Sequence, residues 1–303
     1  MPWTEAPNFS LRLAQSNLDQ STREKVRFFA DNGYLVLDLS IPDFDELART
    51  VVHECSLRRE YPVRLMDAWE GIEGVRKLAT LPEILDLLEV LYRRQPIPMQ
   101  TLNFGKGTGQ KPHSDAFHFN SVPPGFVCGV WIALEDIDDD NGPVVYYPGS
   151  HKLPYFDHLH FGGSASFQTA FDLYAHYEKR LESIVTELGL EQKTLTIPRG
   201  HALVWAANLI HGGAPIRDPA RSRHSQVTHY YFANCLYYQP QRSDPFLGRI
   251  EWLDKRDVRT GDYIPQTYNG VPARVRMGPR QRLKHVLRRS GIKALLRRAG
   301  LRR

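Results

Sequence analysis

Cysteine is scarce in this 303-residue chain: three residues, Cys55, Cys128 and Cys235, lie far apart. So few exclude a disulfide-stapled fold and a multi-cysteine zinc site, and they lead to the expectation of a reducing, cytoplasmic location. No run of 18 apolar residues exists, so no transmembrane helix is expected. Met1–Ser10 lack the basic start and apolar core of a secretory leader, so none is expected. Disorder is excluded by a composition of 42% hydrophobic and 24% charged residues. Acidic residues are missing from 280–303, which hold ten Lys or Arg. The remainder carries 29 basic and 34 acidic residues, so the formal net charge of +5 belongs to the tail.

What is present reads as one domain over 1–279, followed by that basic tail at 280–303. The early chain is helical in pattern: residues 21–33 with Ser21 as cap and Gly33 as terminator, then Asp45–Cys55, Met66–Leu78 and Pro82–Arg93. Tyr34–Leu39 interrupts these as an apolar strand. After Pro96 the texture turns to short strands between Gly, Pro, Asn and Asp: Pro98–Phe104, Phe126–Leu134, Pro143–Tyr147, Lys193–Ile197, Ala202–Ala206 and Ser225–Ala233. The pattern predicts an α+β protein with a mainly β core, about 96–235, of sandwich or barrel type with flanking helices. A helix from about Phe171 to Leu190 is inserted into it. In the tail, Leu283, Val286, Leu287, Leu295, Leu296 and Ala299 share one helical side. A solvated segment is the simpler expectation and a weak contact with an anionic surface the sharper one; no specific nucleic acid is expected.

The chemistry-bearing pattern is His113-x-Asp115. On a strand these two side chains share a face and can converge on one divalent metal. With a third ligand they would make a 2-His-1-carboxylate set that leaves three positions open, which suits non-haem Fe(II). The bare pair occurs about once by chance in such a composition, so its context must carry the weight. His211 is the third candidate: it ends an apolar strand, and Gly212 and Gly213 after it permit close backbone approach. A hydrogen-bonded core histidine is the competing reading. Arg223 adjoins a strand, and its fork can grip a carboxylate two-pronged where lysine could not; Arg221 is the backup. His176 and Glu178, in a helical pattern, do not share a face.

In order, His113-Ser-Asp115, Val130-Trp-Ile-Ala-Leu-Glu-Asp136, Asn141-Gly-Pro-Val-Val-Tyr-Tyr-Pro-Gly-Ser-His151, His211-Gly-Gly and Arg223 resemble the phytanoyl-CoA dioxygenase family over roughly residues 24–235. The resemblance implies a double-stranded β-helix (jelly-roll, cupin-like) and an Fe(II)- and 2-oxoglutarate-dependent dioxygenase. His113, Asp115 and His211 would hold Fe(II), Arg223 the distal carboxylate of 2-oxoglutarate, and Gln100 would lie near the cosubstrate's other end. Reaction with O2 would release succinate and CO2 and hydroxylate a small-molecule substrate. Phe104, Phe117, Phe119 and Trp205 would line the pocket or be ordinary core, and Trp131 would wall the pocket or pack the core. His118 would face substrate or the surface, and His151 would be structural. Some members carry a hydroxyl two positions after the distal histidine; here that position is Gly213. Related halogenases lack the carboxylate that Asp115 supplies, which favours hydroxylation. Two alternatives stand beside this: a non-oxygenase metal enzyme on the same fold, and a non-catalytic binding protein using the basic tail.

Overall fold

The computed structural model describes residues 1–61 and 63–273, with Val286. The basic segment expected at 280–303 otherwise lies outside the described residues. The chain opens with helices α1 (Phe9–Ala14) and α2 (Gln20–Asn32), strand β1 (Tyr34–Asp38), helix α3 (Phe44–Ser56), a two-residue strand β2 (Leu65–Met66), and helices α4 (Glu73–Ala79) and α5 (Pro82–Tyr92). The β region follows: β3 (Pro96–Phe104), β4 (Asn120–Val122), β5 (Val127–Ala133) and β6 (Val144–Tyr146). Next come the inserted helix α6 (Ala170–Glu187), then β7 (Lys193–Thr194), β8 (His201–Ala206), β9 (His211–Gly213), β10 (Ser225–Phe232) and β11 (Leu236–Tyr238).

Several element ends shift by one to three residues from expectation, and two differences have a clear local cause. The cap of α2 is Asp19, which accepts from Thr22 N, and not Ser21; Gly33 ends the helix at φ 79° as expected. The helix expected over Met66–Leu78 is shortened to α4. Met66 instead pairs with Leu102 on β3, and Asp67 takes a left-handed φ of 54° that no helix continues through.

Six antiparallel strands form the larger sheet in the order β1-β8-β5-β10-β3-β2, and β7-β6-β9 form a smaller one. The period-2 alternation sorts the residues of the larger sheet between two cores. Val130, Ile132, Ala202, Val204 and Tyr230 face the helices, while Trp131, Ala133, Leu203, Trp205 and Val227 face the smaller sheet and pack with Val144, Tyr146 and Leu209. Both faces being covered, β5 reads as one continuous apolar run. This is the two-sheet β-helix with flanking helices expected from the sequence. Helix α6 lays Leu173, Tyr177 and Leu181 on the structure at i, i+4, i+8 spacing, Tyr177 and Leu181 packing with Phe117 and Ile210.

At the N-terminus, Glu5 accepts a hydrogen bond from Tyr155 Oη at 3.0 Å. Burial outweighs that bond and the nearby amino terminus and pushes the carboxyl up to about 7. Protonated Glu5 is therefore favoured by folding: its contribution is complete below the ordinary glutamate pKa and is lost as pH rises through about 7. Wild-type stability is expected to fall by about 3 kcal/mol more than that of Glu5→Gln across this range, read from urea unfolding at a series of pH values. Parallel pH profiles for the two proteins would refute it.

Candidate metal centre

His113 and His211 stand opposite each other in an antiparallel bridge: His113 N donates to His211 O at 2.8 Å and His211 N to His113 O at 2.9 Å. Directly opposed residues put their side chains on one face, and the two rings lie 4.4 Å apart. Each ring's Nδ1 faces its own segment's backbone, Lys111 O at 3.0 Å and Leu209 O at 3.0 Å. Those carbonyls fix the Nδ1–H tautomer and turn both Nε2 lone pairs toward the candidate metal position, where the Gln110 side-chain amide also lies 3.3 Å from His113 Nε2. Burial, joined by His211, pushes the His113 imidazole down to about 3, so it is neutral as a ligand must be.

Asp115 arrives differently from the expected strand pair. Ser114 is extended, but Asp115 opens a 3₁₀ turn, Asp115–Phe117, whose start Ser114 caps. The turn still aims the carboxylate at the imidazoles: Oδ1 is 3.9 Å from Nε2 of both His113 and His211. The three donor atoms lie within 4.8 Å of one another, and all three residues are buried. The other oxygen, Oδ2, accepts from Trp205 Nε1 at 2.7 Å and lies 3.3 Å from His229 Nε2. Burial opposes ionisation here, yet His229, His211 and His113 together hold the carboxyl well below the usual range.

Two of these contacts were not read from sequence. Trp205 was expected as apolar lining, whereas its indole N–H anchors Asp115. His229 was not singled out at all. The available signal was the alternation of β10, which puts 225, 227 and 229 on one face; Val227 and His229 both line the cavity, with Arg223 just before the strand.

The cavity measures about 450 Å³ and lies between the sheets. Gln100, Phe104, His118, Phe119, Trp131 and Arg223 line it beside the three ligand candidates. Phe117 does not: it is buried behind, stacked on Tyr177 with centroids 3.9 Å apart. His118 has its Nδ1 3.3 Å from Gln241 Oε1. His151 is a packing residue, its Nε2 3.1 Å from Ala30 O. His176 bonds Phe161 O in helix α6, away from the triad. Gly213 explains the missing hydroxyl: a Cβ there would sit 3.1 Å from Gly109 N, so the loop before His113 closes onto β9 where a side chain would stand.

Arg223 is 3% exposed. Nη1 donates to Gly142 O at 2.8 Å, while Nε has no partner among the described residues. Its guanidinium lies 5.8 Å from the Phe104 ring and 5.9 Å from that of Trp131. Burial lowers its pKa to about 10, so it stays cationic at neutral pH. Arg221 is turned away, pairing with Asp138 at 2.8 Å on the surface. A buried guanidinium with an unpartnered Nε, in the same cavity as a two-imidazole, one-carboxylate set, is the donor arrangement for a divalent cation with an anionic chelator beside it.

With this geometry in hand, the comparisons are specific. The sequence model of the phytanoyl-CoA dioxygenase family matches residues 20–225. Peroxisomal phytanoyl-CoA dioxygenase of Bos taurus is 25% identical over 245 residues, 71% of this chain and 69% of that protein. Among solved structures, the non-heme alpha ketoglutarate dependent carbocyclase SnoK from nogalamycin biosynthesis aligns with a TM-score of 0.58 at 17% identity, over 82% of this chain and 94% of that one. The epimerase SnoN, in complex with Fe3+, alpha ketoglutarate and nogalamycin RO, aligns with a TM-score of 0.55 at 20% identity, over 86% and 97%. No described helix is long and apolar enough to cross a membrane, and all three cysteines are buried and free.

Proposed function

The chain belongs to the phytanoyl-CoA dioxygenase family, and on that premise we propose that it is a non-haem Fe(II)- and 2-oxoglutarate-dependent dioxygenase that hydroxylates a small molecule. The observation carrying this reading is the meeting, in one cavity, of His113, Asp115 and His211 with the buried guanidinium of Arg223 and its unpartnered Nε. SnoN, on the same fold, takes iron and alpha ketoglutarate together, which supports the cofactor pair.

In this role His113, Asp115 and His211 would hold Fe(II). Arg223 grips the distal carboxylate of 2-oxoglutarate, and Gln100, opposite His229 in the β3–β10 pairing, borders the same space. When bound, the iron and 2-oxoglutarate supply the oxidising chemistry, with O2 consumed and succinate and CO2 released. The protein's part is geometric and dielectric. The backbone carbonyls of Lys111 and Leu209 set the imidazole tautomers, Trp205 and His229 orient Asp115, and Phe104, Leu102 and Val227 exclude water from the reacting space. The fold also serves a carbocyclase and an epimerase; the retained carboxylate of Asp115 is why hydroxylation is preferred here to halogenation.

The test is anaerobic loading with Fe(II) and 2-oxoglutarate, then oxygen, with succinate measured. Wild type is expected to release succinate slowly even without substrate, and His113→Ala or Asp115→Ala to release none. With a true substrate, the product should be heavier by one oxygen atom. An iron-loaded wild type that consumes no 2-oxoglutarate would sink the oxygenase reading; a product of unchanged mass would sink hydroxylation alone.

A further inference from the structure

The cavity has a second charged feature that the metal and cosubstrate do not use. Arg64, just before β2, and Arg242, at the end of the 3₁₀ turn Pro240–Arg242, both line it on the side open to solvent. Neither side chain makes an ion pair or hydrogen bond with a described residue. Several surface arginines elsewhere are paired: Arg199 with Asp45, Arg217 with Asp139, Arg256 with Glu70 and Arg259 with Asp257. Asp115 is the one carboxylate among the described lining residues, and it is occupied by its own histidines and Trp205.

Formal charge then argues for the missing ligand, on the basis of the oxygenase reading above. A divalent metal on two neutral imidazoles and one carboxylate leaves one positive charge, and Arg223 adds a second. A 2-oxoglutarate dianion cancels both. Arg64 and Arg242 remain, facing a space also walled by Met66, Leu102 and Phe119. Cations lining a cavity with low-dielectric walls attract an anion and fix its orientation. The apolar walls take the rest of the molecule.

We propose that Arg64 and Arg242 form an anion-binding rim, and that the substrate is a compact amphipathic acid: an apolar skeleton directed toward the metal, with a carboxylate or phosphate monoester held at the cavity mouth. The two arginines come from segments far apart in sequence, so together they fix the distance between acid group and reacting carbon. They act as specificity determinants and not as catalytic residues.

Binding of named probes to the full chain tests this independently of turnover. The probes are octanoate and octyl phosphate, with 1-octanol and methyl octanoate as uncharged counterparts. Affinities are read by anaerobic calorimetry, with and without Fe(II) plus saturating 2-oxoglutarate. The acids are expected to bind about tenfold tighter than the uncharged probes, the size expected of two exposed ion pairs. That ratio should fall toward one in Arg64→Gln/Arg242→Gln and be largely retained in Arg64→Lys/Arg242→Lys, which keeps the charge and controls for folding. Preference for octanoate over octyl phosphate, or the reverse, identifies the acid group. Equal binding of charged and uncharged probes, failure of both acids to bind, or an undiminished ratio in the glutamine variant overturns the proposal. A protein that keeps the preference yet makes no succinate overturns the oxygenase reading instead. Succinate without the preference overturns only the rim.

Discussion

Alanine at Asp115 is expected to eliminate ferrous-ion binding, whereas Trp205→Phe and His229→Leu should each weaken it about 10- to 100-fold, the usual effect of removing a group that orients a ligand. The two oxygens of Asp115 have separate tasks. Oδ1 faces the imidazoles at 3.9 Å, and Oδ2 is held by Trp205 at 2.7 Å and His229 at 3.3 Å. Without the indole N–H, Oδ2 is free to turn toward the ion, and a buried carboxylate oxygen loses its donor. Gly129→Ala should reproduce the Trp205→Phe result without touching either partner. A Cβ at Gly129 would lie 2.4 Å from Trp205 Cε2 and 2.7 Å from Nε1, so the indole must leave its place. Chelator competition measures the affinity, and metal-free thermal unfolding separates it from a folding defect. A Trp205→Phe protein that binds Fe(II) as wild type does would show that the indole does not set the carboxylate's orientation.

The legibility of this site in the sequence followed how local each cause was. The strands β3, β5, β8 and β10 were readable because apolar runs between Gly, Pro and Asn are a chain-local signal, as were Gly33 and Pro82 at helix ends. The Met66–Leu78 error shows the opposite. Helical spacing was present there, but Met66 and Asp67 are claimed by β3, with Asp67 N donating to Thr101 O at 2.8 Å, and a tertiary pairing outweighs a weak local preference. Similarly, His113-x-Asp115 named two residues that the structure brings together, but by a different route. Strand alternation was invoked, yet a capped 3₁₀ turn delivers the carboxylate. Trp205 looked apolar because its one polar atom matters only once Asp115 is folded against it. His229 lies on the strand that Arg223 adjoins, within reach of its alternation, but a histidine among tyrosines on an apolar strand has no local mark of its partner. Short strands such as β4 and β11, which pair with each other, are too brief for periodicity to register.

At Arg223 the expected result is a split between function and stability. Arg223→Met should raise the KM for 2-oxoglutarate by roughly 100-fold, because truncating one partner of a buried, hydrogen-bonded charge pair costs about 2–5 kcal/mol and about 1.4 kcal/mol is tenfold. The metal-free protein should lose nothing, or gain. In that state folding buries a guanidinium with one bond to Gly142 O, an unsatisfied Nε and two aromatic rings nearly 6 Å away. Replacing such a charge by an apolar side chain of similar length is commonly neutral or stabilising. Added 2-oxoglutarate should accordingly raise the Tm of iron-loaded wild type in proportion to the logarithm of its concentration and leave Arg223→Met unmoved. Arg223→Lys should fall between, keeping the charge and losing the fork. Arg221→Ala should behave as wild type, since Arg221 is committed to Asp138 outside the cavity. A KM effect at residue 221 and none at residue 223 would move the cosubstrate's carboxylate to the surface loop, and the buried fork would then need another anion to explain why it is kept charged.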